Sequence, residues 1–496
     1  MKSISLLKFI PQEVKELVLI KTFTTYSFAV LYSSLVLYMT SDVGLSSQHA
    51  AGIVGVFISL NFILHFLGGY LGGKFISNRG LLLLGVLLEF LGIVVLKSHL
   101  LIGLGIFLTG SGLYVTSINA ILLQKYTPED SRREIASFWL YSGMNLGFFI
   151  GHSVGGYFHL HGHYNWLFDS AIITSLIAIY LICANWRNLS DINTDIAKKS
   201  FKSIKLRFIT MLLCLPPLIL LVIASITYHS QAGRLVMISG AVIFCLTLLM
   251  ALKQPEKEDK NKVFAFLILV VAALIFWSLF FIGPMGMTLF IHNYVNNQFI
   301  GITIPPQWFN NINTGIIVIG GPFLATWFKR IREQGSDLSY PFLFAVALLC
   351  IGTAYIILPV GIRMPDANGL ISVYWVVISY VLQTTGELFL SPVGMAMIGK
   401  LAPQGKQGLL LGIWAMVLGI ASMVSKYLSQ MMTVSQLKVS SYESIQSYSD
   451  TFSIIGWSAF VFGCLLFSLV PYVKKLIGNE SQDNSRHINN SLATDV

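Results

Sequence analysis

Charge is what this chain has least of. Of 496 residues only 11% are Asp, Glu, Lys or Arg, against about 25% in an ordinary soluble domain. That scarcity excludes water as the main solvent of the fold. Cysteine is also sparse: Cys183, Cys214, Cys245, Cys350 and Cys464 are far apart in apolar segments. They form no metal-ligand spacing and read as small core hydrophobes. No P-loop lysine follows a glycine-rich turn, which excludes ATP as the energy source, and no HExxH or similar pattern suggests a bound metal. The sequence therefore predicts neither cofactor nor metal, and no paired catalytic groups suggest an enzyme. The first fifteen residues contain charges and Pro11 but no cleavable apolar core, so no removable signal peptide is expected.

What is abundant is apolar length. Hydrophobic residues make up 55% of the chain and the mean hydropathy is +0.73. They gather into fourteen runs near 17–39, 48–72, 79–96, 99–123, 136–158, 165–186, 207–226, 235–252, 263–292, 307–328, 340–361, 370–399, 407–431 and 451–473. Each run is long enough to cross a hydrocarbon core about 30 Å thick. Backbone groups in lipid must satisfy one another, and period-2 patterning is absent, so each run is expected to be a helix.

The net charge of +10 would suggest nucleic acid in a soluble protein. Here it follows topology instead. With the N-terminus inside, the inner loops collect Lys74 and Arg79; Lys125, Arg132 and Arg133; Arg187, Lys198, Lys199, Lys202 and Lys205; Lys253, Lys257, Lys260 and Lys262; Lys329, Arg330 and Arg332; Lys400 and Lys406; and Lys474 and Lys475. The outer loops hold little beyond Lys97, Arg234, Arg363 and Lys438. By the positive-inside rule both termini are cytoplasmic. No nucleic-acid partner is expected, only the lipid bilayer and a small solute.

The runs divide as six, two and six. Residues 1–190 form a first six-helix bundle, 191–262 the linkers and an inserted two-helix hairpin, 263–475 a second bundle, and 476–496 a polar, disordered tail. Six plus six is the division of the major-facilitator fold, an all-α membrane architecture whose halves rock about a site near the midplane.

A family emerges from ordered motifs. GELFLSPVG at 386–394, continuing through Lys400–Pro403, resembles the tenth-helix signature of the proton-dependent oligopeptide transporters. LVLYMT at 35–40, GGYLGGKFISNR at 68–79, LYSGMNLG at 140–147, IPPQWFNNIN at 304–313 and LLLGIWAMVLG at 409–419 resemble further family segments in the right order. The inserted helix pair is characteristic of bacterial members, which implies the bacterial inner membrane. The resemblance covers nearly the whole chain and implies a secondary active transporter of di- or tripeptides or related zwitterionic solutes, with proton symport.

The departures are specific. The family's charged first-helix motif aligns with Lys21, Thr24, Thr25, Tyr26, Phe28, Ala29 and Val30, and an arginine beyond it corresponds to Tyr32. Val115 stands where the family has a fourth-helix lysine, Phe281 where a seventh-helix glutamate is common, and Gly73 where an aspartate is usual. These changes predict weak or absent coupling by the usual route and leave no obvious cation for a substrate carboxylate. The alternatives are a divergent carrier of amino acids or other metabolites without proton coupling, and a transport-inactive nutrient sensor.

Within the apolar runs, ionisable residues cost about 2.5–3.5 kcal/mol by insertion scales and mark function by default. Glu387 is the strongest candidate, for substrate binding and for proton coupling. In the family the corresponding glutamate meets the substrate's amino end. Glu89, His65 and His152 are further coupling candidates, each against a reading as a helix-pairing or packing group. Asn145, Asn313, Trp414 and Tyr32 match or neighbour cavity positions of the family and are candidate substrate contacts; Asn145 and Asn313 equally suit helix–helix hydrogen bonds. The glycines at 68, 69, 72, 73, 103, 105, 110, 112, 151, 155 and 156 read as close helix packing.

Overall fold

The computed structural model describes residues 14–478 except 128–129, 131, 193, 197–200, 300, 335–337, 404–405 and 434–440. Among the described residues the chain folds into fifteen helices making fourteen spans. They are α1 (Lys15–Leu37), α2 (Ser47–Leu71), α3 (Asn78–Leu96), α4 (Leu100–Leu123), α5 (Arg132–Leu160), α6 (Tyr164–Ala184), α7 (Phe201–Thr227), α8 (His229–Leu252), α9 (Lys257–Phe280), α10 (Thr288–Tyr294), α11 (Asn310–Glu333), α12 (Tyr340–Ile362), α13 (Val373–Leu401), α14 (Gln407–Met432) and α15 (Ser441–Ile477). α9 and α10 form one span, bent through a π-helical turn at Gly283–Met287, where Thr288 Oγ1 donates to the Gly283 carbonyl at 2.7 Å. Eleven spans are apolar and long enough to cross a bilayer by composition alone. The other three, α1, α5 and α11, are less apolar and include much of the cavity wall described below.

Each expected run is a helix, and the differences lie at the ends. α8 begins at His229 and α15 at Ser441, earlier than the apolar runs near 235 and 451. Polar first turns such as Ser-Tyr-Glu-Ser extend a helix past the hydrocarbon without raising hydropathy. Four two-residue strands also lie between spans. β1 (Val295–Asn296) pairs in parallel with β4 (Ile371–Ser372), and β2 (Gln298–Phe299) antiparallel with β3 (Ile302–Thr303). The polar tail beyond residue 478 lies outside the described residues.

α1–α6 pack chiefly on one another through α3–α4, α1–α5, α2–α4 and α1–α6, and α9–α15 through α12–α15, α12–α13 and α9–α14. Glycine permits the closest approaches: a Cβ on Gly68 would strike the Leu113 carbonyl, and one on Gly110 the Gly85 carbonyl. The hairpin straddles the two groups. α7 packs on α4 and α2, while α8 packs on α9, α14 and α2. Cysteine placement corrects the expectation of core hydrophobes: Cys183, Cys214, Cys245 and Cys464 are exposed and only Cys350 is partly buried. An apolar outer surface suits a small thiol as well as an apolar core does.

Candidate functional site

Two adjoining cavities run between the helix groups. The central one, about 410 Å³, is of the size that holds small molecules. The second, about 620 Å³, shares Tyr141, Asn145, Ile317, Glu387 and Ser391 with it. That second cavity leads past Phe138, Ile331 and Tyr340 toward the ends of α5, α11 and α12 on the terminal face, the one on which α1 starts and α15 ends. The pathway is thus open toward the terminal face.

The opposite face is sealed by contacts between the two helix groups. Between α2 and α14, Ser422 Oγ donates to the Gly55 carbonyl at 2.7 Å, Gln430 Nε2 to the Gln48 carbonyl at 2.9 Å, and Gln48 Nε2 to the Thr433 carbonyl at 2.8 Å. From the IPPQWFNN segment, Trp308 Nε1 donates to the Ser153 carbonyl at 2.9 Å and Asn311 Nδ2 to Ser153 Oγ at 2.9 Å. Gly156 lets α5 approach this closely: a Cβ there would lie 2.5 Å from Pro305 Cγ and Trp308 Nε1.

Every substrate-contact candidate lines the central cavity: Tyr32, Asn145, Asn313, Glu387 and Trp414. Asn313 Nδ2 donates to Glu387 Oε2 at 2.6 Å and also to Thr384 Oγ1 at 3.2 Å. One amide therefore holds the carboxylate against α11 and leaves Oε1 for a ligand. Asn145 is committed differently, donating to the Tyr141 carbonyl at 2.9 Å within α5. Tyr32 stacks with Phe28 at 5.8 Å and lies 6.4 Å from the His152 ring. Trp414 packs edge-on with Phe344 at 6.4 Å and fixes a largely apolar wall.

The coupling candidates separate. His65 and His152 line the same cavity, with His65 Nε2 and both His152 nitrogens buried and lacking hydrogen-bond partners. Glu89 is 0% exposed and sits behind the wall, where its neighbours include Lys21 and Tyr114. Those two do face the cavity. Lys21 overturns the expectation that no cation is available: among the described lining residues it is the one Lys or Arg, as Glu387 is the one carboxylate. Sequence reading took Lys21 only as a lost acidic position. Its signal was available, because a lysine within KELVLIKTFTTYSF stands inside an apolar run. Lys426 was missed in the same way; it is 1% exposed in α14 and donates from Nζ to the His229 carbonyl at 2.7 Å.

Comparison with known proteins agrees with this architecture. The chain is 25% identical over 453 residues to dipeptide and tripeptide permease B of Salmonella typhimurium, covering 89% of this chain and 91% of that one. It is 25% identical over 479 residues to dipeptide and tripeptide permease A of Escherichia coli, covering 94% and 93%. Among solved structures it resembles a peptide transporter POT in complex with sulfate, with a TM-score of 0.83 at 23% identity over 95% of this chain and 96% of that one. A POT family transporter in complex with 5-aminolevulinic acid matches with a TM-score of 0.80 at 20% identity, covering 94% and 99%. The POT family profile itself matches residues 79–445. With that match over most of its length and a fold shared end to end with solved members, this chain belongs to the POT family of integral membrane transporters and is not an enzyme.

Proposed function

We propose that this protein carries di- and tripeptides, or closely related zwitterionic solutes, across the bacterial inner membrane by alternating access. The observation that carries the cargo class is the charge layout of the cavity. Glu387 on α13 and Lys21 on α1 stand one on each helix group, in walls that are largely apolar and aromatic with polar side chains such as Asn145, Asn313 and Gln383. An ammonium meeting Glu387 makes charge-assisted hydrogen bonds, as does a carboxylate meeting Lys21. A zwitterion meets both, whereas a neutral or singly charged solute leaves Glu387 with only the Asn313 amide or Lys21 with only the buried Glu89 behind it. The relatives named for dipeptides and tripeptides support the same class.

In this reading residues 1–190 and 263–475 are the two moving bodies, the hairpin within 191–262 stands outside the pathway, and both termini are cytoplasmic. The described conformation is then the inward-open one. Proton coupling rests on embedded groups other than the altered first-helix motif: Glu387, Glu89, His65 and His152. The polar contacts of the cargo fall to Glu387, Lys21, Asn145 and Asn313, and its apolar contacts to Tyr32 and Trp414.

A thermal-shift screen tests the cargo class, because a ligand that binds only the folded state raises apparent stability by mass action. Dipeptides and tripeptides are expected to stabilise the protein, and their N-acetylated and C-amidated derivatives much less. Stabilisation by the doubly blocked peptide equal to that by the free one would reject the zwitterion reading.

A further inference from the structure

Among the histidines of the sealed face, four stand in two facing pairs, and each pair spans parts that must separate for that face to open. His159, in the last turn of α5, lies 5.3 Å from His292 at the end of α10, ring centre to ring centre. It thereby bridges the two helix groups directly. His49, in the first turn of α2, faces His229 at the start of α8, with rings 4.6 Å apart and His49 Nδ1 3.4 Å from His229 Nε2. This second pair joins α2 to the hairpin helix that is itself anchored to α14 by Lys426, through the Nζ bond to the His229 carbonyl at 2.7 Å. In each pair one ring is exposed, His292 and His49, and its partner is partly covered. Both pairs are therefore open to protons from the sealed side.

We propose that these two pairs are proton-binding sites that hold this gate shut only while each carries at most one proton. A facing pair of imidazoles shares a hydrogen bond or a stacking contact when one or neither ring is charged, and repels when both are. The open gate separates the rings and takes up the second proton freely, so it binds more protons than the closed gate, and acid shifts the balance toward opening. The surrounding groups act in known directions. Lys426, with its ammonium 4.9 Å from the Tyr427 ring, adds a third positive charge beside His49 and His229. At the other pair, Tyr164 on α6 holds His159 Nδ1 at 2.6 Å, and behind it lie Tyr38 and the Asp42 carboxylate. Tyr157 and His161 stack at 4.4 Å on the outer side, and His163 precedes Tyr164 at the start of α6, its backbone N–H donating to the Phe158 carbonyl at 2.9 Å. The proposal needs alternating access but no particular cargo.

The test is a distance across the gate. Spin labels at Asn165→Cys and Ile302→Cys, both exposed positions on the sealed face, are placed in a chain whose native cysteines are replaced, and the protein is held in lipid nanodiscs. Between about pH 8 and about pH 5 the long-distance, open population is expected to rise roughly fivefold or more, centred near the ordinary histidine range. The His49→Gln/His292→Gln variant changes only exposed rings, so its fold is preserved and its closed distance at pH 8 verifies this. In that variant the pH response is expected to vanish. A wild-type distance that ignores pH, or a variant that keeps the full response, overturns the proposal. No cargo is present, so either failure leaves the zwitterion reading untouched.

Discussion

Glu387 and Lys21 are single charges in an apolar chamber, and their energetics follow from what faces them. A hydrogen bond to a charged group contributes about 1.5–3 kcal/mol, which is roughly tenfold to a hundredfold in affinity. Lys21→Gln should therefore weaken binding of peptides with a free carboxylate by roughly tenfold or more, while C-amidated peptides bind the variant and the wild type alike. Isothermal titration with the two ligands measures this, and equal losses for both would show that Lys21 acts on the fold instead of the cargo. Asn313 is subtler, since its amide already occupies Glu387 Oε2 at 2.6 Å. At this scale the sequence was informative about identity and silent about orientation. Glu387, Asn313, Asn145, Tyr32 and Trp414 were legible through motifs or through an ionisable group in an apolar run. Lys21 was obscured because alignment to a carboxylate position drew attention to what had been lost. The facing of His159 and His292 could not be read at all, because the pair joins residues far apart in sequence.

Helix positions were legible because hydropathy measures the hydrocarbon slab directly, whereas the ends, the π-helical turn and the short strands depend on polar residues outside it. The loop between α12 and α13 is one such feature. Asp366 accepts backbone N–H groups of Asn368 at 2.9 Å and Leu370 at 3.0 Å, and the Asn296 amide at 2.7 Å. Those donors, the Leu370 N–H first and then the Asn296 amide, hold its carboxyl below the usual carboxylate value. A depressed value means that the loop's stabilisation is full above the ordinary aspartate pKa of about 3.9 and is lost as pH falls below it. The protection of the Asn368 and Leu370 amides, their exchange measured relative to the intrinsic rate at each pH, should fall as pH drops below about 4, and Asp366→Asn should remove most of that pH dependence. Gly156 sets the approach of α5 to the segment at Pro305 and Trp308. Gly156→Val overpacks that contact, a change that costs about 1–3 kcal/mol in a tight interface. It should raise the fraction of molecules open on the sealed face, as read by the Asn165–Ile302 label distance; an unchanged distance distribution would show that the contact does not hold the gate.

For the molecule as a whole, the hairpin is the part with least bearing on the cavity and most on its frame. Among the described residues, none of α7 or α8 lines either cavity, yet the pair packs on both helix groups. Replacing 201–252 with a flexible linker should leave peptide affinity within roughly twofold, as expected for sites without shared contacts, and should alter the rate of conformational exchange. The six-two-six order was legible from run lengths and loop charge, while the state of the gate was not, because hydropathy carries no information on which face the halves close. On the proposed reading, a zwitterion held between Glu387 and Lys21 is moved when the halves exchange access. That reading is tested most directly by uptake of a radiolabelled dipeptide into proteoliposomes holding wild-type or Glu387→Gln protein, with folding verified by monodisperse purification. Saturable uptake is expected of the wild type and a loss of roughly tenfold or more of the variant; wild-type uptake by Glu387→Gln would mean that the carboxylate does not hold the cargo.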